Sequence, residues 1–323
     1  CCPQSHENAE AMSTAAAAAT GREPGDFVVA STGVIGQTIN ISAIQAGLPQ
    51  AAAALSADGS DAAAHAIMTT DTVKKEIAVS LTIGGKEVRL GAIAKGSGMI
   101  HPNMGTMLAF ITTDCAITHE MLSDALHEVV ARTFNRVTVD GDTSTNDMCV
   151  VLANGMAGNS LIEWKDQDYE TFLAALEEVC RYLSRAIAGD GEGASKLVTC
   201  KMHGARSEES AERLAKAVVG SSLVKAAMFG ADANWGRVLC AMGYSGAQFD
   251  PEKVDLFFES AAGKIQIIEN GVAVNYSEEE ATRILSEPEV TAIADVKMGD
   301  ATATAWGCDL TYDYVKINAD YRS

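Results

Sequence analysis

The stretch AKGSGMIHPNMGTMLAFITTD at 94–114 runs from glycine-rich into apolar sequence, with Gly105 and Thr106 at the junction. A flexible approach that ends in an apolar run at 107–111 predicts a turn-rich entry into a buried strand. The same order suits a chain that cuts itself before a threonine. The freed threonine would carry a nucleophilic hydroxyl and, in its own α-amine, a base to activate it. An α-amine titrates near pH ~8, so part of it is neutral at physiological pH. Gly105 lets the scissile peptide adopt a strained geometry without a Cβ clash. The plainer reading of the same residues is a threonine that opens an ordinary buried strand.

Periodicity around this stretch argues for mixed secondary structure. Ile77, Val79, Leu81 and Ile83 alternate with mostly polar positions, Gly84-Gly85 turns the chain, and Val88, Leu90 and Ala92 resume the alternation, which predicts a β-hairpin. A second hairpin is expected at Ile265 and Ile267, Asn270-Gly271, then Val272 and Val274. Trp306, Cys308, Leu310, Tyr312 and Tyr314 share one strand-like face, with Asp309, Thr311 and Asp313 opposite. Helical stripes open at Thr118, at Asp168 (burying Phe172, Leu176, Val179 and Leu183, and stopping near Gly189), at Ser207 and at Ser277. Hairpins interleaved with helices, without regular βαβ crossovers, favour an α+β layered fold over a doubly wound sheet.

Charge narrows the partners. A net charge of −19 disfavours phosphate backbones and anionic lipid surfaces and leaves small cationic or zwitterionic substrates. No apolar run is long enough to span a bilayer, and the alanines at 15–19 read as a helix interior. The eight cysteines form no CxxC pair and no metal-ligand spacing with histidine, so buried thiols in a reducing cytoplasm are expected. The start at Cys1-Cys2 reads as a fragment or processed form.

Several further segments can carry chemistry. Lys95, amid Gly96, Ser97 and Gly98, can meet a substrate carboxylate, although a solvated loop lysine is the default. Ser31-Thr32-Gly33 follows the apolar run at 27–30; a strand end with glycine at a turn can offer backbone N–H groups to an oxyanion. It lacks the spacing of the nucleotide-binding glycine motifs. Residues 140–147, DGDTSTND, lack the sixth-position glycine and closing glutamate of an EF-hand, so a hydrogen-bonded turn network near a site is the better reading. In DGEG at 190–193, Glu192 either reaches a ligand or is an exposed acid after a helix C-cap. The GADANWGR segment at 230–237 either lines a pocket or pins two layers together.

Jointly these segments resemble the ornithine acetyltransferase (glutamate N-acetyltransferase, ArgJ) family. The matching pieces are STGVIGQ at 31–37, IMTTDT at 67–72, the 94–114 stretch, FNRVTVDGDTSTND at 134–147, GDGEGASKL at 189–197, VKAAMFGADANWGR at 224–237 and INADYRS at 317–323. They span essentially the whole chain. The resemblance implies a layered α/β fold with mixed and antiparallel sheets, akin to N-terminal-nucleophile hydrolases in chemistry. It implies scission into an α chain, 1–105, and a β chain, 106–323. Thr106 would take the acetyl group of N2-acetylornithine and pass it to glutamate by a ping-pong route, in arginine biosynthesis and in the cytoplasm. Thr32 and Gly33 would form the oxyanion hole, and Thr69, Lys95, Thr106, Glu192, Asn318 and Ser323 would contact substrate. No resident cofactor or metal is implied, although some members use acetyl-CoA as donor, and the assembly implied is an α2β2 heterotetramer. Three departures stand out: Gly105 where alanine is commoner, Ala233 where a proline is common, and no NSGNAN-type segment, which makes an N-terminally incomplete α chain the expectation. A self-processing aminopeptidase or amidase and an inactive remnant are the alternatives.

Overall fold

A computed structural model describes residues 4–101 and 107–320. The described chain divides into two compact units, residues 4–67 with 318–320, and residues 68–317.

The first unit is helical. Helix α1 (Ser5–Thr20) contains the alanine run and ends at Gly21, whose left-handed backbone (φ 68°) closes the helix. It packs against α2 (Ile41–Ala53), whose N-cap Asn40 accepts the N–H of Ala43. A short helix, α3 (Ser60–Ala66), follows. The apolar run at 27–30 is not a strand, contrary to expectation. Its unit holds no described strand for it to pair with, and Val28 is left exposed.

The second unit is built on two sheets. β1 (Lys75–Ile83) and β2 (Lys86–Lys95) form the expected hairpin, with Ile83 opposite Lys86 across the Gly84-Gly85 turn. β3 (Leu108–Thr113) adds antiparallel to β2. Helix α4 (His119–Arg132), capped by Thr118, crosses over to β4 (Met148–Ala153), which lies parallel to β3. Helix α5 (Gln167–Gly189) starts one residue before the predicted Asp168 because the Asp166 carboxylate accepts the N–H groups of Asp168 and Tyr169. Its buried stripe includes Phe172, Leu176, Val179, Leu183 and Ile187.

The second sheet has the order β10-β5-β9-β6-β7-β8 among the described residues. β5 (Leu197–Ala205) leads into α6 (Glu208–Gly220), α7 (Ser222–Phe229) and α8 (Trp235–Gly243). Then come β6 (Asp255–Ser260), β7 (Gly263–Glu269) and β8 (Val272–Ala273), the last two forming the second predicted hairpin. Helix α9 (Glu278–Leu285), β9 (Glu289–Asp295), β10 (Ala301–Cys308) and α10 (Tyr312–Asp320) complete the chain. β5 and β9 run parallel while the other pairs are antiparallel, so the α+β reading with mixed sheets holds. Helix α5 touches both sheets, packing on β1 and β2 and also on β5 and β10. Just past the helix, the Asp190 carbonyl accepts the Ser97 hydroxyl beyond the end of β2, and Gly191 lies against Cys308, the last residue of β10.

Two local expectations need correcting. The shared face at 306–314 is broken, because the strand stops at Cys308 and a helix begins at Tyr312. Asp309 turns back to accept the N–H groups of Ser195 and Lys196, at 2.8 and 3.0 Å, and Tyr314 N–H is accepted by the Thr311 hydroxyl, which starts the helix. Cys240 is exposed on α8, whereas Cys115, Cys180, Cys200 and Cys308 are buried as expected. The 230–237 segment pins elements together: Asn234 caps α8 through the Arg237 N–H, and the Arg237 guanidinium donates to the Leu223 carbonyl of α7 at 2.9 Å.

Candidate active site

Strand pairing brings three chain segments to one end of the first sheet. Lys95, the last residue of β2, pairs with Leu108, the first of β3, and Leu108 pairs with Met148, the first of β4. Residues 107 and 147 therefore enter the sheet side by side. Met107 N–H donates to the Asp147 carboxylate at 2.6 Å, and Met148 N–H donates to the Met107 carbonyl at 2.9 Å. Gly105 and Thr106 lie outside the described residues, as does Ser323.

Lys95 is not a solvated loop lysine. It is 3% exposed and faces Asp71, Asp147 and Glu192. Burial pushes its ammonium below the ordinary lysine value, and the three carboxylates oppose that shift. Burial raises Asp147 to about 7, with the Met107 N–H and the Lys95 charge pulling the other way. Glu192 is also buried, at 8% exposure, so the exposed-acid reading fails. Its N–H donates to the Ser97 carbonyl at 2.9 Å, and the Ser97 hydroxyl donates to the Asp190 carbonyl at 2.7 Å. The DGEG segment is thus laced to the Lys95 loop. Gly98 is glycine for want of space, because a Cβ there would overlap the Glu192 carboxyl group.

The predicted turn network at 140–147 is present and supports this loop. Met99 has a left-handed backbone (φ 55°), an uncommon state for a non-glycine residue. Asp140 holds it there, accepting the N–H of Met99 at 2.6 Å and of Ile100 at 3.0 Å. Tyr314, on the first turn of α10, lies near Asp140, Asp142 and Glu192. Burial first, and these carboxylates next, push its phenol up to about 12.

Behind the site lies a buried cluster that sequence reasoning missed. The Lys75 ammonium bridges Asp71 and Asp190, at 2.6 Å to each, with all three side chains almost wholly buried. Asp71 also accepts the N–H of Gly96 at 2.8 Å and of Thr69 at 3.1 Å. Asp190 accepts the Thr72 N–H and its hydroxyl. Burial alone would raise the Asp71 carboxyl, but Lys75 and the two N–H donors outweigh it and hold the group below its ordinary value. Thr69 itself is exposed, and the cluster fixes its backbone directly beside Lys95's own loop.

Thr32, Gly33 and Asn318 belong to the first unit. Thr32 and Gly33 sit in an irregular, exposed segment, and Asn318 is exposed on the last turn of α10. Among the described residues no cluster of His, Cys, Asp or Glu could hold a metal ion.

The sequence matches the ArgJ family over residues 2–323. The chain belongs to the ArgJ family. Its relatives include an "Arginine biosynthesis bifunctional protein ArgJ" of Symbiobacterium thermophilum, 54% identical over 320 residues, which are 99% of this chain and 79% of that protein. One of the same description from Caldanaerobacter subterraneus subsp. tengcongensis is 48% identical, over 98% of this chain and 79% of that protein. A crystal structure of an arginine biosynthesis bifunctional protein argJ from Bacillus halodurans superposes with a TM-score of 0.63 at 46% identity, covering 66% of this chain and 98% of that one. In this member of the ArgJ family, Thr69, Lys95 and Glu192 converge through Asp71, Ser97 and Asp190. Asp71 and Asp190 sit inside the motifs quoted above, but nothing in the sequence couples them to Lys75.

Proposed function

We propose that this chain cuts itself between Gly105 and Thr106 and then moves acetyl from N2-acetylornithine to glutamate through an acetyl-threonine on Thr106. It is an acetyltransferase of arginine biosynthesis, in keeping with the role printed for its relatives. The observation that carries the reading is the convergence of Lys95, Asp147 and Glu192 on the sheet end where β3 begins, two residues after Thr106. An ammonium among buried carboxylates suits a substrate with an α-carboxylate at one end and an ammonium at the other. Lys95 meets the carboxylate and Glu192 the ornithine ammonium, with Thr69, Asn318 and Ser323 as neutral contacts.

The chemistry balances on one residue. The α-amine of Thr106 takes the hydroxyl proton, Oγ bonds to the acetyl carbon, and Thr32 and Gly33 hold the oxyanion. The acetyl C–N bond breaks and the proton leaves with ornithine. Glutamate enters the same pocket and reverses the steps. Residues 106–323 make up about two-thirds of the sequence, and the crystallised relative, nearly all of which is covered, spans a similar share of this chain; this supports separate α and β chains. The printed "bifunctional" of the relatives supports acetyl-CoA as a second donor. A cytoplasmic α2β2 assembly completes the reading. No helix of the described residues is long and apolar enough to cross a membrane.

Incubation with N2-acetylornithine, with and without glutamate, is the test. Ornithine release should depend on glutamate, and a stable acetyl adduct of +42 Da, roughly one per β chain, should appear without it. Release that ignores glutamate would favour the amidase reading. A second expectation concerns Gly98→Ala, which crowds the Glu192 carboxylate. KM for N2-acetylornithine should rise about tenfold, roughly 1.4 kcal/mol of binding, with little change in Tm. An unchanged KM would remove Glu192 from the substrate's ammonium end.

A further inference from the structure

A cavity of about 330 Å³ opens where three elements of the second unit meet, and none of its residues takes part in the proposed transfer. Helix α5 forms one wall through the i, i+4 stripe Glu177, Arg181 and Arg185. The end of α4 and the short turn after it contribute Arg132 and Arg136. The third wall is the β5–β10 ladder, where Lys201 lies opposite Thr304 and Thr199 opposite Trp306. Along this face β5 passes from Leu197 through Thr199 to Lys201, so the apolar layer under α5 gives way to polar groups. Five cations and two carboxylates, Glu177 and Glu208, line the cavity, in a chain whose net charge is −19.

The glutamates do not take up all the donors. Arg136 is 6% exposed and donates to Glu208 at 2.7 Å, but its Nε has no hydrogen-bond partner among the described residues, and Glu212, at 3.6 Å, is beyond hydrogen-bond reach. Thr199 is 4% exposed, and its hydroxyl, like the exposed Lys201 ammonium, has no partner among the described residues. Arg132 meets Glu128 at 3.1 Å and Glu208 at 3.4 Å, Arg181 meets Glu177 at 3.3 Å and also Glu178, and Arg185 meets Glu289 at 2.8 Å. The five N–H donors of a guanidinium exceed what these contacts use. A buried donor without an acceptor is costly, and donors on three walls call for an acceptor with oxygens in more than one plane. A carboxylate offers its oxygens in one plane, whereas the oxygens of a phosphate group are tetrahedral and can meet all three walls.

We propose that this cavity is a binding site for a phosphate group, either inorganic phosphate or a small phosphate monoester. Arg136 and Thr199 donate to it from buried positions, Lys201 supplies a charge that no carboxylate meets, and Arg181 adds a second guanidinium from α5. Glu177 and Glu208 hold the guanidinium planes in place. The volume lies at the small end of the range for ligand cavities, about 300–1,000 Å³, and leaves room for a phosphate and a small organic group. Binding here does not depend on scission or on Thr106.

The test is calorimetric titration of the full chain with inorganic phosphate, glycerol 3-phosphate and citrate, at constant ionic strength in a chloride buffer. Wild type should bind a phosphate probe saturably, with one bound per chain. Lys201→Gln and Thr199→Val leave every ion pair around the cavity intact, and each should weaken that binding about tenfold. Lys201→Gln, at an exposed position, should keep the unliganded Tm within about 2 °C of wild type, so its loss of binding is not a loss of fold. Arg213→Gln removes the same charge from α6, outside the cavity, and should change binding by less than about twofold. Tighter binding of glycerol 3-phosphate marks a monoester as the occupant, and equal or tighter binding of inorganic phosphate marks the free ion. No saturable binding of either up to about 10 mM would overturn the proposal. So would wild-type affinity in both cavity variants, or an equal loss in Arg213→Gln, which would be an effect of overall charge. Citrate binding tighter than both phosphates would replace the phosphate group with planar carboxylates and overturn it as well.

Discussion

Thr106→Ala should accumulate as one uncut chain and transfer no measurable acetyl group, a loss of at least about 10³-fold in kcat. The size follows from two functions meeting in one residue. Without Oγ there is no attack on the Gly105 carbonyl, so no amine is freed. Without the amine there is no base, and without Oγ there is no acceptor for the acetyl carbon. The losses do not add, because each step depends on the one before it. Thr106→Ser separates them: it keeps the oxygen and should retain scission and transfer at reduced rates. Denaturing gels with N-terminal sequencing of the smaller band read the scission, and ornithine release reads the transfer. Scission before residue 106 and acetyl exchange that both persist in Thr106→Ala would end this account.

Lys75→Met should cost about 3–5 kcal/mol of stability without touching the substrate. The ammonium lies 2.6 Å from both Asp71 and Asp190, and its removal leaves two carboxylates buried against each other with no cation between them. Since a domain is held by only about 5–15 kcal/mol in all, this is a large fraction. At roughly 2–4 °C per kcal/mol for a unit of this size, Tm should fall by about 10 °C or more. The sign of the pH dependence follows from Asp71, whose carboxyl is held below its ordinary value. Its stabilising contribution is complete above the unfolded-state pKa of about 3.9 and is lost as pH falls through the lower folded value. Wild type should therefore lose more stability than Lys75→Met as pH falls below about 4. Calorimetry across that window measures both effects, and a Tm within about 2 °C of wild type at pH 7 would show that the cluster is not the anchor its geometry indicates.

A second consequence reaches the site. Asp71 holds the N–H groups of Gly96 and Thr69, so a loosened cluster frees the loop that carries Lys95. Lys75→Met should raise KM as well as lower Tm. The two effects share a cause, because the same carboxylate closes the buried ion pair and fixes the loop.

What could be read from the sequence was local. The hairpin at 75–95 needed only alternation and Gly84-Gly85, and the caps at Thr118, Ser207 and Ser277 needed only a side-chain oxygen a few residues from an unpaired N–H. The turn network at 140–147 was legible because Asp, Asn, Ser and Thr in that density satisfy backbone groups. Failures came where a local signal lacked a partner. The run at 27–30 had strand-like residues but no strand to join, and the alternation at 306–314 was cut when Asp309 turned to Ser195 and Lys196.

The mixed α+β class, the family, the hairpins and the helix caps were written in the sequence, since they depend on neighbours within a few positions or on motifs met in a fixed order. Tertiary structure alone decided that Lys95 and Glu192 are each buried and that Lys75, which also holds Asp71, reaches Asp190 across 115 positions. It also decided that Asp147 grips the amide after Thr106. A buried charge is tolerated only where partners from distant segments arrive to meet it, and no local pattern records which segments the sheet will bring together.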